Sequence, residues 1–361
     1  MRSCRVADGI EDIVMVQRER PVFDYPFAEG PETASGRSIE VTPGVHWLRM
    51  PLGGPLGFIN VWAIREADGW AIVDTGLSDA PTMDAWRKSF AGPLKGAVSR
   101  VFVTHMHPDH IGMAGWLTRK FDARLWTSRQ EFLMSRNLVA DTGREAPQDG
   151  LRFYRSAGWD SEQIETYRTR FGGFGRAVYA LPDSFRRVVD GETFTIGDHV
   201  WEVVVGAGHS PEHVCLYCPD LKLMISGDQV LPLISSNVSV FPTEPTGDPL
   251  TDWLRSLAAI KGRVPDEVLV LPAHNSPFHG LHARIDYLIE GHELALVRLA
   301  DLIATPRRAV DVFPALFRRE IDEYVIGLAT GESLAHLNCL LARGLAVKTT
   351  DAQGVDWYQA L

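Results

Sequence analysis

The chain has 361 residues, of which 45% are hydrophobic and 23% charged, and its formal net charge is −10 at pH 7. This composition is typical of a globular protein with one large domain, alone or with a small companion, and no apolar run approaches the roughly 20 residues of a membrane-spanning helix. Because an acidic surface repels phosphate backbones and anionic lipid headgroups, we expect neither nucleic acid nor a membrane as a partner.

The first 36 residues show little hydrophobic periodicity and contain several turn-forming prolines and glycines. This pattern predicts an N-terminal arm over residues 1–36 that is laid on the domain surface. The segment mixes acidic and basic residues from the start, and it has no apolar stretch before a small-residue cleavage site. A secretory signal is therefore not indicated, and we expect a cytoplasmic protein.

Between residues 37 and 127, short β-rich runs give way to strands that alternate with helices. The patterning predicts strands at 39–41, 46–49, 58–64, 70–73, 98–103 and 124–126, and helices at 80–90 and 110–121. Residues 128–182 break this rhythm and predict a helical insertion rich in aromatic residues. These aromatic side chains either cap a substrate pocket or pack the insertion onto the body of the domain.

The β-rich pattern returns after residue 185, with strands predicted at 187–189, 193–196, 200–205, 214–217, 223–226 and 268–271 and helices at 250–262 and 281–303. Two β-rich halves, each with helices, favour a four-layer αββα sandwich, a mixed α+β/α/β architecture, over residues 37–303. Cys215 and Cys218 form a CxxC within one of these apolar runs. No second CxxC accompanies it, so we predict a structural role for the pair.

The last segment, residues 304–361, is predicted to form a small separate module. Helices are indicated at 310–317, 320–328 and 332–342, and a two-stranded hairpin at 345–349 and 355–358. Three helices and a hairpin are typical of a winged-helix-like module. Its third helix carries one arginine and no lysine, whereas a DNA-recognition helix is normally basic, so we do not expect DNA binding.

A cluster of potential metal ligands follows the strand predicted at 98–103. It reads His105-x-His107-x-Asp109-His110 and precedes a helix. Imidazole nitrogens and carboxylate oxygens suit Zn²⁺ and also Fe or Mn. A hydrophobic core would have to supply a buried partner for each of these groups. The cluster therefore predicts a metal site on the loop that leaves the strand.

Four further polar residues lie just past the ends of other predicted strands, each near a glycine or a proline: Asp74, His209, Asp228 and His274. Strand ends of an α/β sheet gather at one edge, where loops carry the chemistry. We therefore expect all of these side chains to converge on a single site with the cluster at 105–110.

In their order and content these segments resemble the five sequence motifs of the metallo-β-lactamase superfamily, over roughly residues 40–300. The resemblance implies the four-layer αββα metallo-β-lactamase sandwich and two divalent metal ions, zinc in the first place, with Fe or Mn as alternatives. It implies that the first metal is held by His105, His107 and His209, that the second is held by Asp109, His110 and His274, and that Asp228 bridges both. The C-terminal module resembles a winged-helix extension that packs beside the active-site mouth in some of these hydrolases.

The implied catalytic residues are Asp109 and Asp74. Two metals held in this way lower the pKa of bound water towards about 7, so that water can attack a carbonyl or phosphoryl centre at neutral pH. Asp109 or a metal-bound water can return a proton to the leaving group. Asp74 is expected to orient the ligands and the water. His213 either supports the cluster by hydrogen bonding or is a satisfied strand histidine, and the other histidines are expected to have packing or surface roles.

The substrate class follows from the position of Asp228, which is usually Cys or Ser in true β-lactamases. An aspartate there resembles the glyoxalase II-type thioesterases, the lactonases and the phosphodiesterase branches. The loop at 229–239 is apolar and follows an aromatic insertion, which favours a small-molecule ester, thioester or lactone. A phosphodiesterase or ribonuclease stays the alternative, and a β-lactamase or an inactive binding protein is less favoured. The oligomeric state is open, with a homodimer through the arm or the C-terminal module as one option.

Overall fold

The structure, a computed structural model, describes residues 20–361. Most of the predicted N-terminal arm, including Cys4, lies outside the described residues. The described part of the arm contacts the body of the protein, since Phe23 packs edge-on against Phe278 and Phe27 against Trp47. The division of the chain at residues 36 and 303 stays a prediction.

The first sheet has seven strands that lie side by side in sequence order. They are β1 (Ile39–Thr42), β2 (Val45–Pro51), β3 (Phe58–Glu66), β4 (Gly69–Val73), β5 (Ala97–Phe102), β6 (Arg124–Thr127) and β7 (Arg186–Arg187). Strands β1 to β4 pair antiparallel, and β4 to β7 pair parallel. Parallel neighbours need crossover connections. Helix α1 (Ala80–Ala91) connects β4 to β5, helices α2 (Pro108–Ile111) and α3 (Ala114–Phe121) connect β5 to β6, and the insertion connects β6 to β7.

The second sheet has five strands in the order β12-β11-β10-β9-β8. They are β8 (Thr193–Ile196), β9 (His199–Gly206), β10 (His213–Cys218), β11 (Leu223–Gly227) and β12 (Leu269–Pro272). Helix α7 (Pro249–Arg263) connects β11 to its parallel neighbour β12. The predicted strands of both sheets are present, with shifts of one or two residues at their ends.

Three cores separate four layers. Side chains of both sheets, among them Trp62 and Trp201, fill the central core between the sheets. The outer face of the first sheet packs against α1 and α3, and that of the second sheet against α7 and later helices. The order helix, sheet, sheet, helix confirms the predicted αββα sandwich.

The CxxC pair is divided between two of these cores. Cys215 faces the outer helices and Cys218 faces the first sheet, because side chains alternate along β10. Both cysteines are buried and free. The predicted structural role is confirmed, since the two thiols lie on opposite faces of one strand.

The insertion is helical, as predicted. It contains α4 (Arg129–Ala140), α5 (Gln148–Ser156), α6 (Ser161–Arg170) and a 3₁₀ turn at Phe174–Ala177. Trp159 and Ile164 pack with Ile326 of the C-terminal segment, and Trp159 Nε1 donates a hydrogen bond to Thr330 Oγ1 at 2.9 Å. The single helix predicted at 110–121 is wrong: it is interrupted between Ile111 and Ala114, because the backbone N of Met113 donates to Gly76 O at 3.1 Å instead of continuing the helix.

The C-terminal segment contains α8 (Leu281–Leu302), a 3₁₀ turn at Ala309–Val312, α9 (Phe313–Leu316), α10 (Ile326–Ala342) and the hairpin β13 (Ala346–Thr350) and β14 (Asp356–Ala360). The predicted hairpin is confirmed, but the separate helix at 320–328 is wrong. Helix α10 runs without interruption through Gly331 and is buried on nearly all sides. Tertiary packing stabilises a helix here that local propensity alone would break.

Helix α10 shares one hydrophobic core with α7, α8 and the second sheet. The C-terminal segment is thereby packed directly onto the layer that carries half of the predicted site. None of the helices in residues 20–361 is long and apolar enough to cross a membrane.

Candidate metal centre

The structure brings all seven predicted ligands to one edge of the two sheets. Residues 105–110 follow β5, and the other three ligands follow β9, β11 and β12. His209, Asp228 and His274 thus approach from the second sheet, while the His105 cluster approaches from the first. The ligand-forming atoms fall into two groups, within each of which they lie no more than 4.8 Å apart.

The first group contains His105, His107, His209 and Asp228. His105 Nε2 lies 2.8 Å from His107 Nδ1 and 3.3 Å from His209 Nε2. His209 Nε2 lies 3.4 Å from Asp228 Oδ2. Three imidazole nitrogens and a carboxylate oxygen therefore point at a common centre.

The second group contains Asp109, His110 and His274. Asp109 Oδ2 lies 3.6 Å from His110 Nε2 and 3.4 Å from His274 Nε2. The carboxylate of Asp228 also faces this group, with Oδ2 at 3.6 Å from His110 Nε2 and Oδ1 at 3.6 Å from His274 Nε2. Asp228 therefore lies between the two groups, as expected of a bridging residue.

Hydrogen bonds behind the imidazoles fix which nitrogen faces each centre. The Nδ1 atom of His110 contacts Asp74 Oδ2 at 2.8 Å, that of His209 contacts Asn237 O at 2.7 Å, and that of His274 contacts Phe58 O at 3.2 Å. Each oxygen accepts a proton from Nδ1 and leaves Nε2 with a lone pair for a cation, which is the usual arrangement of metal-binding histidines.

The donor set fits divalent metal ions. His110 Nε2 and Asp228 Oδ1 are buried and have no hydrogen-bond partner among the described residues. A buried polar atom without a partner costs free energy. A cation held by the second group, which Asp228 Oδ1 also faces, would satisfy both atoms, so the residues present fit a metal ion there.

The pKa values of His105, His107 and Asp109 agree with this fit. Burial and the neighbouring histidines lower the pKa of His105 well below its usual value, and burial lowers the pKa of His107 to about 3. Burial disfavours ionised Asp109, but the charge of His110 and the hydrogen bond and charge of His274 together outweigh it and lower the pKa of that carboxyl to about 2. Neutral imidazoles and ionised carboxylates are the forms that bind a metal ion. Despite burial, the surrounding carboxylates raise the pKa of His110 and His274, so these two imidazoles would release a proton when a metal ion binds.

Asp74 lies behind His110 and does not join either group. Its backbone has a φ of +61°, and its carboxylate accepts hydrogen bonds from the backbone N of Thr104 at 2.8 Å and from Thr104 Oγ1 at 2.9 Å. Burial opposes the charged form of His110, but the carboxylates around it, Asp74 first, raise its pKa well above the usual value. Asp74 is therefore placed to orient His110.

His213 supports the site from β10. Its Nε2 accepts a hydrogen bond of 3.1 Å from the backbone N of Asp228. Of the two roles considered for His213, support of the cluster by hydrogen bonding therefore agrees with its contacts. Among the other histidines, His279 and His282 bond backbone carbonyls away from the centre.

Two supporting residues were missed by the sequence reasoning. Glu131 of α4 is buried and accepts hydrogen bonds of 2.8 Å from the backbone N of Met106 and of Glu212, so it ties together the two ligand loops. Asn60 donates to Pro272 O and Asn275 O on either side of His274. A polar residue inside the apolar run of β3 was the available signal for Asn60, whereas Glu131 offered none.

A cavity of about 420 Å³ reaches the centre at His209, and a second of about 270 Å³ adjoins it. Both are lined by Phe241. The first also contains Met106 and Met134, and the second contains aromatic side chains of the insertion, such as Tyr154. The aromatic residues of the insertion therefore pack towards α10 and line the second cavity; that they cap a substrate pocket stays a prediction.

Comparison with known families gives two matches along the chain. The metallo-beta-lactamase superfamily profile matches residues 54–274, and a metallo-beta-lactamase-like C-terminal domain profile matches residues 296–361. Two curated relatives are a hydroxyacylglutathione hydrolase from Roseobacter denitrificans and an acyl-coenzyme A thioesterase, MBLAC2, from Gallus gallus. The first is 28% identical over 40% of this chain and 53% of its own length, so the chain spans about half of it. The second is 23% identical over 65% of this chain and 79% of its own length.

Solved structures show the same fold over nearly the whole chain. A beta-lactamase domain protein from Burkholderia ambifaria is 37% identical, with a TM-score of 0.85 over 94% of this chain and 98% of that chain. A metallo-beta-lactamase family protein from Thermus thermophilus, at 24% identity and a TM-score of 0.74, covers 89% of this chain and 100% of its own. The chain belongs to the metallo-beta-lactamase superfamily.

Proposed function

We propose that this protein is a metallo-hydrolase that cleaves the acyl C–O or C–S bond of a small-molecule ester, thioester or lactone, with an acyl thioester as the first candidate. The observation that carries the proposal is the carboxylate of Asp228, which lies between two ligand groups, the first of which reaches a partly apolar cavity at His209. Of the two curated relatives described above, one is named an acyl-coenzyme A thioesterase and the other a hydroxyacylglutathione hydrolase.

We assign one divalent ion to His105, His107 and His209 and a second to Asp109, His110 and His274, with Asp228 shared. Zinc is our first choice, with Fe or Mn as alternatives, because the donors are imidazole nitrogens and carboxylate oxygens. Such a pair of ions supplies Lewis acidity and activated water at neutral pH.

The protein groups orient this chemistry. Asp74 holds His110 through its Nδ1 proton, and the carbonyl of Asn237 does the same for His209. The side chain of Asp109 is 17% exposed, whereas that of His110 is fully buried. Asp109 is therefore the carboxylate of the second group that is open to solvent, and we assign to it the return of a proton to the leaving group.

The cavity beside His209 bears on the phosphodiesterase alternative. Four carboxylates line it: Glu212, Glu244, Asp248 and Asp252. Negative charges of this density repel a phosphodiester strand. The same lining contains Met106, Met134 and Phe241, which favours an apolar acyl group at this position.

A substrate comparison on metal-analysed protein tests the proposal. We expect turnover of an acyl thioester and of p-nitrophenyl butyrate, and little of bis-p-nitrophenyl phosphate. The matched control is Asp228→Asn, which keeps the shape of the bridging side chain but removes its charge and should abolish turnover of each substrate. Turnover of the phosphodiester alone would refute the proposed substrate class.

A further inference from the structure

One buried carboxyl in the C-terminal segment reaches towards the metal centre. Glu332 of α10 is fully buried, and its Oε2 accepts hydrogen bonds from Asn237 Nδ2 at 2.5 Å and from the backbone N of Val238 at 3.2 Å. Asn237 and Val238 belong to a segment at 236–240, here called the strap, that follows Asp228 in the chain. Glu332 is therefore a point at which the C-terminal helix holds the strap.

The strap contacts two residues of the metal centre. The backbone carbonyl of Asn237 accepts the Nδ1 proton of His209 at 2.7 Å. Ser236 Oγ donates a short hydrogen bond to the backbone carbonyl of Asp228. The position of the strap therefore decides how His209 is oriented and where the backbone of Asp228 lies.

The strap also contacts α10 at Gly331. The backbone N of Val240 donates to Gly331 O at 3.0 Å, while within the strap Ser239 Oγ donates to Asn237 Oδ1 at 2.5 Å. A Cβ added at Gly331 would lie 2.6 Å from Ser239 Oγ, so the glycine permits this close approach. Helix α10 thus presents a fitted surface to the strap, with Glu332 as its polar anchor.

We infer that Glu332 is a positioning residue for the metal centre: through the side chain of Asn237 it fixes the carbonyl that directs His209 Nε2 at the first metal ion. This inference rests on the metal assignment proposed above. It gives the C-terminal segment a role in the site although the segment contributes no ligand. Residues that hold a ligating histidine from behind affect metal affinity by about 10- to 100-fold when they are removed.

The chemistry of Glu332 suits this role. Burial raises the pKa of its carboxyl to about 8, despite the hydrogen bonds from Val238 and Asn237, so the group is mostly neutral near pH 7. A neutral carboxyl still accepts hydrogen bonds through its carbonyl oxygen. Glutamine offers the same hydrogen-bond acceptor without a titratable proton, whereas alanine offers no acceptor. The two substitutions therefore separate the effect of the acceptor from the effect of the titratable carboxyl.

The neighbours of Glu332 offer an alternative role for it, as a ligand of a third metal ion. Glu332, His336 and His292 each place one ligand-forming atom within 4.8 Å of the others. The two histidines, however, already contact each other, with His292 Nδ1 at 3.2 Å from His336 Nε2, while His336 Nδ1 donates to Glu332 O at 2.8 Å. These contacts favour a hydrogen-bonded pair over a third metal site, and the experiment below distinguishes the two.

The test compares Glu332→Ala, Glu332→Gln and Asn237→Ala in the full chain, with Ser333→Ala as the matched control. Ser333 lies next to Glu332 on α10, and its buried hydroxyl has no hydrogen-bond partner among the described residues. Metal affinity is measured by competition with a chelator. The coordination of His209 is followed by the absorption bands of the cobalt-substituted protein, and neither readout needs a substrate.

We expect E332A and N237A to weaken binding of one metal equivalent by about 10-fold or more and to change the cobalt spectrum. E332Q and S333A should stay close to wild type. The double variant E332A/N237A should be no weaker than either single variant, because both changes break one chain of contacts.

Three results would overturn the inference. Metal affinity and a cobalt spectrum in E332A that equal those of wild type would remove the link to His209. Equal losses of metal affinity in E332A and E332Q would show that the hydrogen-bond acceptor at residue 332 does not cause the effect. A third metal equivalent in wild type that is lost in E332A and in His336→Ala would make Glu332 a ligand instead. Wild-type protein that binds no metal would contradict the metal assignment itself and is thereby distinguished from these outcomes.

Discussion

His213 Nε2 accepts a hydrogen bond of 3.1 Å from the backbone N of Asp228, and both residues are buried. This contact fixes the start of the loop that carries the bridging carboxylate. Gly227 precedes it with a φ of +52°, and a Cβ there would lie 2.6 Å from the His213 ring. The position of Asp228 thus depends on a histidine that is not itself one of the proposed ligands.

We predict that His213→Ala lowers metal affinity by about 10-fold or more, because the backbone of Asp228 loses its anchor. Chelator competition measures this. His213→Gln, which can still offer an oxygen acceptor, should recover part of the loss. Unchanged affinity in His213→Ala would show that the Asp228 loop is held by other contacts.

Asn60→Ala should destabilise the fold by about 2 kcal/mol or more. The indole nitrogen of Trp47, which donates to Asn60 Oδ1 at 2.8 Å, would be left buried without a partner. Pro272 O and Asn275 O would lose their donor in the loop that carries His274. Urea unfolding measures the loss of stability, and Asn137→Ala, at an exposed position, is the control. Equal stability of the two variants would show that the hydrogen bonds of Asn60 do not stabilise the fold.

Stability should depend on pH through Glu332. Its folded pKa of about 8 lies above the ordinary 4.5, so between these values the folded protein keeps a proton that the unfolded chain has released. The stabilisation is complete below pH 4.5 and is lost as the pH rises through about 8. His336, whose pKa burial lowers to about 4, is present in both proteins compared and cancels in their difference.

The unfolding free energy of wild type, relative to that of Glu332→Gln, should therefore fall between pH 5.5 and 8.5. Urea unfolding of both proteins across this range measures the difference. A difference that stays constant with pH would show that Glu332 titrates near its ordinary value.

Phe241 should affect substrate binding more than the chemical step. It lines both cavities and is 41% exposed. We expect Phe241→Ala to raise KM for longer acyl substrates by about three- to tenfold while the metal content stays unchanged. Val297→Ala, on an exposed part of α8, is the control. An equal effect on short and long acyl chains would place the acyl group elsewhere.

Much of the architecture could be predicted from local patterns. The strand at 193–196 is found at its predicted bounds, and each proposed ligand follows a strand whose apolar run marks it in the sequence. Such signals are local, because alternation and motif spacing depend only on neighbouring residues.

The features that the sequence did not predict have a common physical cause, because they depend on contacts between distant parts of the chain. Helix α10 continues through Gly331 because it is surrounded by other elements, which no local pattern reports. Glu332 and Asn237 are 95 residues apart in the sequence, and Glu131 and Glu212 are 81 apart. A buried glutamate in a helix has no signature until its distant partner is known. The oligomeric state and the cellular compartment stay predictions.

The most direct test of the central claim is the metal content of purified protein, measured together with thioester turnover in wild type and in Asp228→Ala. A dinuclear centre predicts close to two metal equivalents per wild-type chain, and it predicts loss of metal and of turnover in the variant. Wild-type protein without bound transition metal, or a variant that keeps both its metal and its turnover, would contradict the account.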